Sequence, residues 1–469
     1  MTRHRATPAS MTQAVFLGSI AGSIPMEAGR RAMAWLSAAP VIRHVGRGFY
    51  DSAVRHVAHR VAAIKGVASL ISYNSYASRS VIPGYSDIDL SVIVQDDLDA
   101  SSLVGALRRI DAVYGAARRL YPMIDGNTVV YTRKAFETAW NTGCLTQHAD
   151  AWRCEWGEER VLDAALAAEA PSLPDRLAEL SCTYLTGFHA NLLTALKAGR
   201  RRPTIALERS TAKIYRKLST LDPVILAPKP QRLDAFVHQV IVDLEEVLRA
   251  GWSSDAPHTW SVVPPGVAGV PRQRIRHDPA TVKGNSVISL PDGSTHWHIL
   301  PDAFTESHVA AALSSIVSAR HDSSALHPVV TRRLYEISNR HLTPLGYYGR
   351  RNARDVQGED LLANMPEPTD AGIRCFFRTE ALKLLQLPPA VDALVAGEAV
   401  NLQFWWTRCH RLRHFIDRGE FILNARQAYG DCPDRRPQVI VGLMRDTIAA
   451  LTSPHAAALI RSQSAEVHR

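Results

Sequence analysis

The chain has 469 residues and a formal net charge of +9, with 46% hydrophobic and 21% charged residues. These fractions are ordinary for a globular protein of two or three domains, and the lack of internal repeats or low-complexity tracts excludes a repeat architecture. The excess of cations favours anionic ligands such as nucleotides, but it does not by itself require a nucleic-acid partner.

Six cysteines are spread over the chain without the two-residue spacing of a zinc knuckle. So few cysteines in so long a chain exclude a disulfide framework and predict reduced thiols. Two groups remain open as partial zinc sites, although neither supplies four ligands. They are Cys144, His148 and Cys154, and Cys409, His410 and His414.

Residues 1–45 are predicted to form a polar leader followed by a short helix. Arg3, His4 and Arg5 precede an apolar run that extends to Ile24 and loosely resembles a signal peptide. Glycine and polar residues dilute that run, so a leader is the favoured interpretation. No segment of the sequence reaches the ~18 uninterrupted apolar residues that a membrane span requires.

Residues 46–150 are predicted to form a core of alternating helices and strands. Periodicity and capping signals support this prediction. The expected elements are a helix over 49–65 that ends at Gly66, strands over 67–73 and 87–94, a helix from the N-cap Asp99 to about Leu120, and a strand or bent strand pair within 123–132.

The strand predicted over 87–94 begins with two aspartates separated by one isoleucine. Because strand side chains alternate between faces, Asp87 and Asp89 are expected to point the same way, while Ile88 and Leu90 face the core. Two carboxylates side by side repel unless a cation lies between them, and hard oxygen ligands of this kind suit Mg²⁺. The pattern therefore predicts a divalent-metal site.

The segment Asn74-Ser75-Tyr76-Ala77, a loop, and then Ser86-Asp87-Ile88-Asp89-Leu90 resembles the signature of the polymerase-β-like nucleotidyltransferase superfamily. That signature has Gly-Ser-x-Ala-x-Gly, a loop, Ser-Asp-Ile-Asp-Leu and an apolar strand. The resemblance covers residues 46–145. It implies a small mixed β-sheet flanked by helices, a nucleoside triphosphate (in the first instance ATP) as co-substrate, and a cytoplasmic location.

The resemblance also implies roles for individual residues. Asp87 and Asp89, with a third carboxylate from a later strand, would hold Mg²⁺ or Mn²⁺ and act as the catalytic residues. Asp125 is the candidate for the third position, although Gly126 and Asn127 beside it leave open that it is only a turn residue. The nucleotide would contact Asn74, Ser75, Arg79 and Ser86.

This sequence departs from the family pattern at two glycines. Asn74 replaces the first glycine, which lets the backbone approach a phosphate closely, and Arg79 replaces the last. Asn is the non-glycine residue that best tolerates a left-handed backbone. Neither change removes a metal ligand, but both put the geometry of the phosphate loop in question.

Residues 151–250 are predicted to form a helical bundle that closes over the nucleotide. A helix over 204–218 has an apolar stripe on one side and a basic face on the other. The resemblance implies that such a helix offers cations to the triphosphate, with Lys213 as the first choice and Arg209 as the second. An exposed basic face without a ligand is the equally weighted alternative.

Residues 251–304 are predicted to form a linker and a β-hairpin that turns at Asp292-Gly293, and residues 305–469 a mainly helical region of unknown role. His296 and His298 share one face of the hairpin and remain open as a metal pair. The predicted fold class is therefore α+β.

The predicted function is transfer of a nucleoside monophosphate from a nucleoside triphosphate to an unidentified acceptor, with release of pyrophosphate. A small molecule or a protein is favoured as acceptor, since no RNA-binding module accompanies the core. Two alternatives remain: a non-catalytic nucleotide-binding or regulatory protein on the same core, and an RNA or tRNA nucleotidyltransferase. No membrane partner is expected.

Overall fold

The computed structural model describes most of the chain between residues 40 and 460. The described residues are 40–79, 81, 86–121, 123–124, 129–142, 144–145, 151–163, 173–229, 231–251, 261–263, 274–275, 285–289, 295–318, 326–342, 347, 355–396, 399–422 and 425–460. Within them, no helix is both long enough and apolar enough to cross a bilayer.

Contacts divide these residues into two compact units, with boundaries at 170/171 and at 376/377. The core unit combines the residues before the first boundary with those after the second, and the middle unit lies between them. The five segments that were predicted along the chain remain a prediction of its organisation.

The first part of the core unit alternates helices and strands. Its elements are α1 (Pro40–Ala62), β1 (Val67–Tyr73), α2 (Asn74–Ala77), β2 (Asp89–Val94), α3 (Ala100–Leu120), β3 (Val129–Thr132), α4 (Arg133–Asn141) and β4 (Trp152–Gly157).

The middle unit is mainly helical with short strands. Its elements are α5 (Leu173–Thr183), a π-helical turn (Tyr184–Phe188), α6 (His189–Lys197), α7 (Ile205–Leu218), α8 (Leu233–Gly251), β5 (Ser261–Val263), β6 (Arg274–Ile275), β7 (Ser286–Ser289), β8 (His296–Leu300), α9 (Glu306–Ser318), β9 (Val329–Thr331), α10 (Arg332–Ile337), a second π-helical turn (Ser338–Leu342) and β10 (Asp355–Gln357).

Helix α11 (Asp370–Leu385) contains the second boundary, and helices dominate the chain after it. The remaining elements are α12 (Val391–Ala396), α13 (Ala399–Arg418), β11 (Glu420–Ile422), α14 (Ala425–Tyr429), α15 (Pro437–Leu451) and α16 (Pro454–Ile460).

The core unit has a mixed four-stranded sheet in the order β3-β2-β1-β4. β1 is antiparallel to β2 and β4, whereas β3 is parallel to β2. Strands β1 and β2 are almost wholly buried because they lie in the centre of the sheet and consist mainly of apolar residues. The prediction of a chain that combines helices with a small mixed β-sheet is therefore confirmed.

Several local predictions for the core unit are also confirmed. Strand β1 has the predicted bounds, and Asp99 caps α3 by accepting a hydrogen bond from the Ser102 backbone N–H at 2.7 Å. Helix α3 ends at Leu120 as predicted, and the apolar stripe of this helix is buried.

The middle unit has a five-stranded sheet in the order β6-β10-β7-β8-β9. β7 and β8 are antiparallel, as the hairpin prediction requires, although the turn at Asp292-Gly293 lies outside the described residues. Helix α7 begins after its N-cap Thr204, and the apolar stripe of this helix is buried.

Some details of the predicted elements differ from the structure. α1 spans Pro40–Ala62, whereas a helix over 49–65 was predicted, and β2 begins at Asp89 rather than at Asp87. β4 lies inside the segment that was predicted to be a helical bundle, although its apolar residues alternate with polar ones as in a strand. β9 is a short strand inside the segment that was predicted to be mainly helical.

Candidate functional site

The candidate site lies where β1 ends and β2 begins. The chain leaves Tyr73 and enters the short helix α2 through Asn74, whose backbone has a φ of +61°. The Asn74 side chain donates a hydrogen bond from Nδ2 to Asp89 Oδ2 at 2.8 Å. This contact fixes the carboxylate of the second aspartate against the segment that follows β1.

Asn74 and Arg79 are the non-glycine residues with a positive φ in the described part of the chain, at +61° and +56°. The left-handed conformation costs most L-residues roughly 1–2 kcal/mol, and asparagine tolerates it better than arginine. These are the two positions at which the nucleotidyltransferase signature has glycine. The backbone therefore adopts the conformation that glycine favours at both positions, although both side chains differ.

Asp87 precedes β2, Asp89 is the first residue of β2, and exposure alternates along this segment as predicted. Asp87 is exposed and Asp89 is partly buried, whereas Ile88 and Leu90 are 1% and 2% exposed. The Ile88 backbone N–H donates to the Met123 carbonyl at 2.9 Å, which joins this segment to the one that precedes β3. Exposure thus alternates along the segment as predicted, with both aspartates more exposed than Ile88 and Leu90.

Ser86 and Ser75 lie in the same region. The Tyr50 hydroxyl donates to the Ser86 carbonyl at 2.6 Å, so α1 holds the residue that precedes Asp87. Ser75 is partly buried in α2. The structure thus brings Asn74, Ser75 and Ser86 to the same end of the sheet as the aspartates.

An aromatic wall lies beside Asp89. Tyr73 pairs with Asp89 across β1 and β2, and its ring stacks on Trp152 with 4.8 Å between ring centroids. Burial, and then the charge of Asp89, raises the pKa of Tyr73 well above its ordinary value. Tyr73 therefore stays neutral, and the apolar rings strengthen the attraction between Asp89 and any bound cation.

A polar network on the opposite face of the sheet holds α2 in place. The Tyr76 hydroxyl donates to Asp51 Oδ1 at 2.7 Å, and the Arg153 guanidinium lies 4.9 Å from the Tyr76 ring centroid. Glu155 then accepts from Arg153 at 2.8 Å and from the Ser72 hydroxyl at 2.5 Å. Because Ser72 and Tyr73 are consecutive on a strand, this network is on the face away from Asp89.

Sequence reasoning missed both the Asn74–Asp89 contact and this network. The participating residues are far apart in the chain and share no spacing. Only the register of β1 with β2 and β4 brings them together, and β4 itself was not predicted.

The remaining predicted site residues are Arg209, Lys213 and Asp125. Arg209 and Lys213 are exposed on α7 of the middle unit, so their predicted role at the triphosphate stays a prediction. Asp125 lies outside the described residues.

The donor set fits a divalent cation in part. Asp87 and Asp89 supply hard carboxylate oxygens on one face, and one oxygen of Asp89 is held by Asn74. Among the described residues, no group of three or more His, Cys, Asp or Glu side chains is arranged to hold a metal ion. The pair therefore offers two candidate ligands, and Mg²⁺ is often held by one or two carboxylates together with water and phosphate oxygens.

The described histidines and cysteines that were left open as metal ligands have other contacts. His298 Nε2 lies 3.4 Å from His327 Nδ1 in the middle unit, and both residues are buried. Cys144 is buried, and burial raises its pKa to about 11, which opposes metal binding by the thiolate. His148 lies outside the described residues.

Comparisons with protein-family models, with curated proteins and with solved structures found no match.

Proposed function

We propose that this chain is a metal-dependent nucleotidyltransferase that moves a nucleoside monophosphate from a nucleoside triphosphate to an acceptor and releases pyrophosphate. One observation carries the proposal: Asn74 and Arg79 have positive φ at the two glycine positions of the signature. The spacing of the aspartates does not require a positive φ at either position. The backbone conformation is therefore a second indication beside the Asp87-Ile88-Asp89 pattern.

The order of elements supports the same proposal. The helix α1 is followed by β1, α2, β2, α3, β3 and α4, and the sheet formed by the three strands is mixed. This is the order that the resemblance implies for the nucleotidyltransferase core. The order alone is weak evidence, since one fold supports many functions.

In the proposed site, Asp87 and Asp89 bind Mg²⁺ or Mn²⁺, and Asn74 keeps the Asp89 carboxylate oriented. The bound metal supplies charge neutralisation for the triphosphate. Ser75 and the backbone of α2 contact the phosphates, and Ser86 positions the start of the aspartate pair. Arg209 and Lys213 remain proposed contacts to the triphosphate on the strength of the resemblance.

Asp125 remains the proposed third ligand on the strength of the resemblance, which implies a third carboxylate from a strand after the aspartate pair. Asp125 precedes β3 by four residues in the sequence. The bond from the Ile88 N–H to the Met123 carbonyl brings the segment just before Asp125 beside the aspartate pair.

A small molecule or a protein side chain is the proposed class of acceptor. The second candidate function is nucleotide binding without turnover. The Asn74 amide bonded to Asp89 favours this candidate, because that oxygen must be released or shared if it is also to bind a metal.

The test measures Mg²⁺-dependent binding of a fluorescent nucleoside triphosphate and release of pyrophosphate across an acceptor panel. We expect Asp87→Asn and Asp89→Asn each to lower pyrophosphate release by ~100-fold, because each removes a charge worth several kcal/mol of transition-state stabilisation. The matched control is Asp111→Asn, which neutralises an exposed aspartate on α3 and should leave both readouts unchanged.

Equal pyrophosphate release by the wild type and both variants would refute the proposed site. Mg²⁺-dependent binding that is lost in both variants, without pyrophosphate release for any acceptor, would favour the nucleotide-binding candidate instead. For an RNA acceptor, binding must weaken steeply as the salt concentration rises.

A further inference from the structure

A second cluster of reactive side chains lies at the end of α13, in the core unit. His414 Nε2 is 2.8 Å from Glu420 Oε2, and His414 Nδ1 is 2.5 Å from the Tyr429 hydroxyl. The imidazole is thus held between a carboxylate on β11 and a phenol on α14. We call these three residues the tyrosine relay.

The Glu420 carboxylate can only accept, so His414 Nε2 donates to it. In the neutral imidazole, Nδ1 then carries no proton and accepts from the Tyr429 O–H. A carboxylate, an imidazole and a hydroxyl bonded in this order form the arrangement by which proteins orient a base and activate a hydroxyl nucleophile.

The Tyr429 ring is both held in place and accessible. Its centroid is 4.5 Å from that of His410, with the two planes 20° apart, and His410 is packed against Trp406 at 4.2 Å. Tyr429 is 36% exposed, whereas the His414 side chain is 9% exposed. The base is therefore shielded from water while the nucleophile can be reached.

Hydrogen bonds to Gln403 fix the chain just after Tyr429. Gln403 Nε2 donates to the Gly430 carbonyl at 3.1 Å, and Gln403 Oε1 accepts from the Cys432 backbone N–H at 2.9 Å. Gly430 has a φ of +72°, a conformation that glycine adopts without strain. The phenol consequently has a defined position relative to His414.

Charges of both signs act on the phenol. Burial raises the pKa of Tyr429, the positive charge of Arg418 opposes that rise, and Asp417 and Glu420 add to it. The phenol therefore keeps its proton until a base removes it. The nearby Arg418 guanidinium can neutralise charge that develops on phosphoryl oxygens.

We propose that the tyrosine relay is a reactive site in which the Tyr429 phenol accepts a phosphoryl group from an electrophile that carries a good leaving group. The Tyr429 oxygen forms a bond to phosphorus while the bond between phosphorus and the leaving group breaks. The phenolic proton moves to His414 Nδ1, Glu420 stabilises the resulting imidazolium, and the leaving group departs with the electron pair. The product is a tyrosyl phosphoester, and the step does not depend on the Asp87–Asp89 site.

The test treats the full chain with a fluorophosphonate probe, from which fluoride is the leaving group, and maps the modified tyrosines by mass spectrometry. Tyr429 should be labelled at least ~10-fold faster than Tyr121, a partly buried tyrosine that lies between Phe49 and His56. His414→Asn, which keeps a hydrogen-bonding side chain without a base, should reduce labelling of Tyr429 to the rate at Tyr121. Glu420→Gln should reduce it by a smaller factor.

The matched control is His455→Gln, which replaces another histidine of the core unit that lies outside the relay. It should leave the labelling of Tyr429 unchanged. Labelling of Tyr429 at the rate of Tyr121 in the wild type would overturn the proposal, as would unchanged labelling in His414→Asn. If His414→Asn is not folded, the comparison of the two tyrosines in the wild type decides alone.

Discussion

Arg79 has a backbone conformation that is unfavourable for arginine. Its φ of +56° lies in the region that arginine rarely adopts, and its side chain is exposed. No packing contact of a buried side chain explains that conformation. The turn after α2 therefore imposes it, as a turn built for glycine would.

Replacing Arg79 by glycine should accordingly raise stability. We expect Arg79→Gly to increase the free energy of unfolding by up to ~1 kcal/mol, because relief of the left-handed strain outweighs the greater chain entropy of glycine in the unfolded state. Ser78→Gly is the control: Ser78 has a φ of −76°, so glycine there should lower stability by ~0.5–1 kcal/mol. Chemical denaturation measures both. Destabilisation by Arg79→Gly as large as by Ser78→Gly would contradict the claim of strain.

At the scale of elements, the sequence predicted features that depend on neighbouring residues and missed those that depend on residues far apart in the chain. α3 and its cap at Asp99 were predictable because helical spacing and the capping residue lie within one segment. The alternation of Asp87, Ile88, Asp89 and Leu90 was predictable for the same reason. β4 was not predicted, although its residues Trp152, Cys154 and Trp156 alternate with polar residues, because so short a run becomes a strand only by pairing with β1, which is far away in the chain.

The pairing of β4 with β1 leads to a prediction at Gly157. This glycine has a φ of +96°, and a Cβ atom there would lie 2.2 Å from the Ala68 carbonyl oxygen and 2.7 Å from the Ser69 Cα. Since both neighbours are backbone atoms, Gly157→Ala must displace the edge of the sheet, and we expect a loss of ~3 kcal/mol or more.

Gly115 is the matched control for this substitution. It lies within α3, and nothing is within 4 Å of the position of an added Cβ. Gly115→Ala should therefore raise the free energy of unfolding by up to ~1 kcal/mol through helix propensity. Thermal unfolding of the two variants should shift in opposite directions, and a neutral Gly157→Ala would show that β4 does not pair with β1 in this register.

At the scale of the whole molecule, each of the two compact units buries polar groups against partners that are distant in the chain. The core unit buries a paired charge: Arg408 donates to Glu380 at 2.9 and 3.2 Å, with both side chains almost inaccessible. Among the polar groups that the middle unit buries is a neutral histidine. His189 contacts the Tyr184 carbonyl through Nδ1 at 2.8 Å and accepts from the Val329 backbone N–H through Nε2 at 2.8 Å. Neither arrangement follows from spacing along the chain.

The buried histidine makes the middle unit sensitive to acid. Burial lowers the pKa of His189 to about 4, from an ordinary value near 6.5. Between these two values the unfolded chain binds a proton that the folded chain excludes, so stability falls as the pH drops from about 6.5 to about 4. The loss attributable to this one residue is roughly 3 kcal/mol over that window.

Chemical denaturation at several pH values between 7 and 4 tests this dependence through the transition of the unit that contains His189. His189→Gln should lower stability at pH 7, because the paired backbone groups of Tyr184 and Val329 lose a fitted partner, but it should flatten the decline toward pH 4. His59→Gln, which replaces an exposed histidine on α1, should leave the decline unchanged. If His189→Gln and the wild type lose stability in parallel as the pH falls, then His189 is not the group that excludes the proton, and another buried titratable residue of the middle unit must be responsible.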